Sequence, residues 1–317
     1  FETPMRGRLD LGVLRELSRI VSQHDHQLLH AHTPRTAMMA ALLSRMTGRP
    51  WVYHVHSPSA RDSTRAFQNR INAWIEYLSL LNCQHLITVS NSLRQMMLQQ
   101  GFAENRVTTV HNGVPARRPQ RRRNVPTASS DWLLSMVALM RPRKGLEVAI
   151  DAIALLKERG LMVTLRCIGD FETDEYKQGI LRQIEARSVR DQIQLTGFVS
   201  DVPDAIAQTD AMILPSLFGE GLPMVVLESM AAGTPIIATD VEGTPEAVRH
   251  GVEGLLAKPQ NAESLSDAIQ QMVRGDYDWQ TMAEAAVTRH RDHFSDVAMT
   301  RGVADIYRTV LDAKPAE

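Results

Sequence analysis

Pro215-Ser216-Leu217-Phe218-Gly219-Glu220-Gly221-Leu222-Pro223-Met224-Val225-Val226-Leu227-Glu228-Ser229-Met230-Ala231-Ala232-Gly233-Thr234-Pro235 is the stretch on which the fold turns. A strand ends near Pro215, a glycine-rich turn follows, and a helix begins with Pro223 at its first position. Proline suits that position because its missing N–H would be unpaired there anyway. Gly233 stops the helix and Pro235 bars its resumption. The turn leaves backbone N–H groups free at the positive end of a helix, a seat for phosphate or pyrophosphate. Gly219 and Gly221 let a ligand approach the backbone without side-chain obstruction.

Two carboxylates bracket this seat. Glu220 precedes the helix, and Glu228 lies five residues past Pro223, roughly 8 Å along the axis at about 1.5 Å per residue. The offset suits one acid near the sugar and the other near the ribose of a single nucleotide-sugar. A carboxylate accepts hydrogen bonds from both hydroxyls of a diol, each contributing about 1.5–3 kcal/mol. An acid in the first turns of a helix is also favoured by the dipole alone, by about 0.3–1 kcal/mol. The nearly wholly apolar setting of Glu228 argues for more, because a buried charge needs a partner.

Outward from this segment, apolar runs of strand length alternate with amphipathic runs of helix length. Upstream, 28–31, 51–55 and 85–89 read as buried strands, with helical patterns over 11–21 and 36–46. Downstream, 132–139, 163–168, 192–195, 211–214 and 236–238 read as strands. Helices are expected over 146–158, 175–186, 202–207, 223–232 and 245–250, and amphipathic segments fill most of 262–310. Short apolar strands separated by helices imply βαβ units and parallel sheets covered on both faces. Residues 115–131 break the pattern; Pro115 to Arg123 is basic and free of large apolar residues, so it reads as a linker. Two doubly wound α/β domains facing each other across a cleft are therefore expected, with ligands at the carboxyl ends of the strands.

Composition agrees with a two-domain globular chain. It has 317 residues, 44% of them apolar, with 35 Lys+Arg against 36 Asp+Glu. That balance gives no case for nucleic-acid binding. The two cysteines, Cys83 and Cys167, form neither a metal-ligand spacing nor a disulfide framework, and a reducing cytoplasm is the simplest context. No apolar run approaches the ~20 residues that span a bilayer. The linker arginines read as a solvated hinge; their alternative is peripheral contact with an anionic membrane face, about 1 kcal/mol each. Phe1-Glu2-Thr3-Pro4 is neither a signal peptide nor a natural start.

The central segment resembles the E-x7-E motif of retaining family-4 glycosyltransferases with the GT-B fold. The similarity continues through Ile236 to Glu246 and includes Gly197-Phe198, Asn112-Gly113-Val114, Lys144-Gly145 and His56-Ser57, in the family's order. The resemblance implies a metal-independent, retaining transfer of a hexose from a nucleoside diphosphate, UDP or GDP, to a glycan or lipid-linked acceptor. It implies an acceptor-side domain over 1–115 lacking its front strands, a linker over 116–131, a donor domain over 132–294 and a crossover segment over 295–317. Glu228 would hold the ribose hydroxyls, Glu220 the transferred sugar, and Gly221-Leu222-Pro223 the diphosphate. Gly197 and Phe198 would lie beside the base, Lys144 would bind phosphate, and His56 would bond the sugar near the reacting centre. A cytoplasmic enzyme of bacterial envelope-glycan synthesis is the implied setting, with peripheral attachment to the inner membrane face as its alternative.

Departures from the family pattern matter too. The family places an arginine five or six residues before the lysine, where this chain has Leu139 or Ala138. Arg141 is the candidate replacement. Pro115 stands where the family has an acid. His30, His32 and His54 alternate along strands, so a metal site on them is conceivable, but histidines at strand ends are common and no metal or other cofactor is expected. Asp276-Tyr277-Asp278 falls between helical segments and is a poor site for a bridging Mg²⁺. Rival readings are an epimerase or phosphorylase of the same fold, or a non-catalytic nucleotide-sugar-binding fragment.

Overall fold

The computed structural model describes residue 3, residues 12–57, residue 74 and residues 77–116 and 124–313. The arginine-rich part of the expected linker, 117–123, lies outside them. The chain divides into two units, one formed by 1–111 with 299–317 and the other by 112–298.

The first unit carries strands β1 (Leu29–Ala31), β2 (Trp51–Val55), β3 (His85–Thr88) and β4 (Val107–Thr109). They form one all-parallel sheet in the order β1-β2-β3-β4. Every residue of β2 is buried, as expected for a strand covered on both faces. Helices Gly12–Gln23 and Pro34–Thr47 pack together through Val13, Leu14, Val21, Met39 and Leu43. A capping box at Thr33 and Thr36 starts the second of these, and Gly48 at φ 69° ends it. The C-terminal helix Asp296–Asp312 lays Ile306 and Val310 against Val52, Ile87 and Val110 of this sheet.

The second unit carries β5 (Trp132–Val137), β6 (Val163–Ile168), β7 (Ile193–Gly197), β8 (Ala211–Leu214), β9 (Ile236–Thr239) and β10 (Gly254–Ala257). Their order is β10-β9-β8-β5-β6-β7, all parallel. Counted from β5, this is the doubly wound order 3-2-1-4-5-6. The chain runs outward one way from β5 and, starting at β8, outward the other way. The switch point lies between the carboxyl ends of β5 and β8, where such sheets bind ligands. Leu134, Leu165 and Ile213 of the strands pack with Ile150, Ile153 and Ile269 of the covering helices in one continuous core.

Strand and helix expectations for 51–55, 146–158, 163–168, 202–207 and 211–214 match the structure residue for residue. Three details differ. Pro223 is the N-cap, and Met224–Ala232 is the helix, because Pro223 stays extended at φ −72°, ψ 115°. The helix expected over 245–250 is the single turn Thr244–Ala247, ended by an extended Val248. β4 and β10 were not expected at all.

Candidate active site

Two loops meet at the switch point. The first leaves β5 and passes through the short 3-10 turn Pro142–Lys144. The second leaves β8 and runs from Pro215 to the helix Met224–Ala232. Gly145 joins them: at φ 71° it lies against the backbone of Pro215, whose carbonyl a Cβ would overlap. Leu217 N–H also donates to Arg143 O at 2.9 Å. A glycine is therefore required at 145 by both backbone angle and space.

Glu220 sits in this junction at 5% exposure. Its Oε1 accepts from Lys144 Nζ and from Ser216 Oγ, the latter at 2.6 Å. Arg143 Nη1 lies 3.8 Å from the same oxygen and donates to Gly219 O at 3.2 Å. Thr239 Oγ1 donates to Ser216 O at 2.5 Å, tying the β8 loop to the end of β9. Burial pulls the Lys144 ammonium below its ordinary range, Glu220 opposes that pull, and Arg143 and Arg141 add to it. Arg141 stands 3.5 Å from Glu172, and Nε of both Arg141 and Arg143 is buried without a partner among the described residues. Glu220 thus faces Lys144 and Arg143 while Arg141 pairs with Glu172, so three cations stand against two carboxylates and the surplus is positive. An anion of higher charge, such as a diphosphate, would complete the balance.

The helix itself is oriented for the same ligand. Pro223 caps it without a side-chain hydrogen bond, so its first N–H groups are not claimed by a side-chain cap. Asn112 Nδ2 donates to Leu222 O at 3.3 Å and braces the turn from behind. From Met224, Glu228 is one helical turn on. It is half-buried, has no hydrogen-bond or ion-pair partner among the described residues, and desolvation raises its carboxyl pKa above the ordinary range. Gly197, at φ 71°, ends β7, and Phe198 just beyond it is 75% exposed. β7 is three positions from β8 in the sheet, about 14 Å at roughly 4.8 Å per strand. That span suits the length of a nucleoside diphosphate.

Residues 117–289 match the family model described as Glycosyl transferases group 1. The chain belongs to this family. Residues 1–118 match the model described as Glycosyltransferase Family 4. Among relatives of this group 1 glycosyltransferase, the alpha-D-kanosaminyltransferase of Streptomyces kanamyceticus is 26% identical over 322 residues, covering 95% of this chain and 81% of that protein. The UDP-Gal:alpha-D-GlcNAc-diphosphoundecaprenol alpha-1,3-galactosyltransferase of Escherichia coli is 20% identical over 273 residues, 82% of this chain and 70% of that one. The crystal structure of Anabaena Alr3699/HepE in complex with UDP shares the fold at a TM-score of 0.82 and 21% identity, covering 94% of this chain and 82% of that one. The fold class anticipated from the sequence, α/β with two parallel-sheet domains of the GT-B type, therefore stands.

In this group 1 glycosyltransferase the structure brings Lys144, Glu220 and the Gly221-Leu222-Pro223 turn together. Sequence reasoning missed Ser216 and gave Arg143 no role, although both hold Glu220 or its loop. Asp278 caps helix Trp279–Arg289 by accepting from Thr281 N–H at 2.7 Å, which accounts for the Asp-x-Asp without a metal. His56 follows β2 in the first unit, is exposed, and places Nε2 at 3.0 Å from His32 Nδ1. Desolvation, aided by His32, lowers its pKa below the ordinary histidine range. No helix of the described residues is long and apolar enough to cross a membrane.

Proposed function

We propose that this enzyme transfers a hexose, with retention, from a nucleoside diphosphate sugar to a hydroxyl of a glycan or lipid-linked acceptor. The observation that carries the reading is the Lys144–Glu220 pair at the switch point, with Arg141 and Arg143 around it. The diphosphate seats against Lys144 and the Gly221-Leu222-Pro223 backbone. Glu220, already fixed by Ser216, accepts from hydroxyls of the transferred sugar. Glu228 accepts from the ribose, and Phe198 offers a bare ring to the base. UDP is the favoured nucleotide because Alr3699/HepE was crystallised with it, and a lipid-linked acceptor is favoured by the E. coli galactosyltransferase.

In the transfer, the bond from the anomeric carbon to the β-phosphate oxygen breaks. The acceptor oxygen bonds that carbon on the same face, and its proton passes to the departing phosphate oxygen. Lys144, Arg141 and the helix end neutralise the charge that grows on the leaving group, an electrostatic stabilisation needing no protein nucleophile. His56 bonds the sugar near the reacting carbon. UDP- and GDP-hexoses supplied with polyprenyl-diphosphate-sugar acceptors test this. Acceptor-dependent release of nucleoside diphosphate, with an α-linked product from an α-donor, is expected. An inverted product, or release that needs orthophosphate in place of acceptor, contradicts it.

A further inference from the structure

The second candidate site lies wholly in the first unit, beside His56. His30 on β1 and His32 just after it are two residues apart, as are His54 on β2 and His56 just after it. Period-two alternation sends each pair to one face. The parallel register that sets Ala31 against Tyr53 carries His32 to the level of His54. The four rings form a compact cluster, with centroids 4.1 Å apart for His30–His32, 5.5 Å for His30–His54, 5.4 Å for His32–His54 and 4.4 Å for His54–His56. One ring nitrogen from each of His30, His32 and His54 lies within 4.8 Å of the others.

Two further observations point to a ligand for these nitrogens. Nε2 of His30 and both ring nitrogens of His54 are buried without a partner among the described residues. A buried polar atom left unpaired is costly, so such a cluster calls for a ligand. The outer nitrogens, in contrast, are tied. His30 Nδ1 is 2.6 Å from Tyr307 Oη, and His32 Nδ1 is 3.0 Å from His56 Nε2. Metal-bound histidines are held in this way, one nitrogen braced by a hydrogen bond so that the other faces the ion.

We propose that His30, His32 and His54 form a three-histidine site for an imidazole-preferring divalent cation of the zinc class, with a fourth position open to water or a ligand oxygen. Tetrahedral coordination at about 2.0–2.1 Å places nitrogens about 3.4 Å apart, so on loading the nitrogens close by up to about 1.4 Å and the stacked rings, 24° and 12° between planes, tilt towards one ion. Mg²⁺ and Ca²⁺, which take oxygen ligands, do not fit an all-nitrogen set. His56 is not a ligand, but the ion fixes its partner His32.

The test is calorimetric titration of ZnCl₂, CoCl₂ and MgCl₂ into the full chain after EDTA treatment, with the visible spectrum of the Co²⁺ form. Saturable binding of one Zn²⁺ or Co²⁺ per chain and none of Mg²⁺ is expected. Tyr307→Phe removes only the brace and should weaken binding about 10- to 100-fold. His54→Ala and, should that variant misfold by circular dichroism, His32→Ala, at an exposed position, should abolish it. Absence of saturable Zn²⁺ or Co²⁺ binding to the folded wild type overturns the proposal, as does unchanged affinity in folded His32→Ala.

Discussion

Replacing Glu220 with glutamine keeps the side chain's shape and its capacity to accept from Ser216 Oγ, but removes the charge that faces Lys144. At 5% exposure the group is screened little by solvent. A hydrogen bond to a charged acceptor contributes about 1.5–3 kcal/mol. At about 1.36 kcal/mol per tenfold, losing that charge against the sugar hydroxyls lowers kcat/KM roughly 10- to 150-fold. A second effect follows from the lysine. Burial is the largest influence depressing the Lys144 pKa, and Glu220 is what holds it up. Without the carboxylate the ammonium loses its proton at lower pH, so the alkaline limb of the pH–rate profile moves to lower pH. Initial rates of nucleoside diphosphate release across the neutral to alkaline range read both effects. Thermal unfolding in parallel separates them from misfolding. A folded variant with kcat/KM within about twofold of wild type and an unmoved alkaline limb would refute the assignment.

Glu228→Ala should raise the donor KM about tenfold or more by removing a charged acceptor, with the acceptor KM unchanged. Since the Glu228 carboxyl pKa is raised above its ordinary 4.5 by desolvation, donor affinity should fall as pH drops through a window above that value, and calorimetry at graded pH checks it. Phe198→Ala exposes no core and should leave the melting temperature unchanged. Loss of ring stacking, about 0.5–1.5 kcal/mol, should still weaken nucleotide binding roughly two- to tenfold, measured against the free nucleoside diphosphate. Gly145→Ala forces a Cβ into the Pro215 carbonyl at a positive φ. It should cost more than about 1–2 kcal/mol and lower the melting temperature by several degrees; an unchanged Tm would show that the loop junction is not tight.

Much of the second unit was legible because its strands are continuous apolar runs bounded by glycine and proline. Trp132–Val137, Val163–Ile168 and Ala211–Leu214 are of this kind. β4 and β10 were not legible: Val107–Thr109 is three residues with two threonines, Gly254–Ala257 opens on a glycine, and both exist through pairing with β3 and β9. Glu220, Lys144 and the turn between Gly219 and Pro223 could be named from local signals. Ser216 and Arg143 could not, since Arg143 reaches Gly219 across 76 residues of chain. The alternation of His30 with His32 and of His54 with His56 is visible in the sequence. That the two pairs share one face is set by the β1–β2 register, which no local pattern reveals.

The account rests on a diphosphate seated between the ends of β5 and β8. Calorimetric titration of UDP and GDP into the wild type and into Lys144→Ala tests it most directly. Saturable binding of one of them to the wild type, weakened about tenfold or more by the substitution, is the predicted result. Equal dissociation constants for the two proteins, both folded, would contradict it.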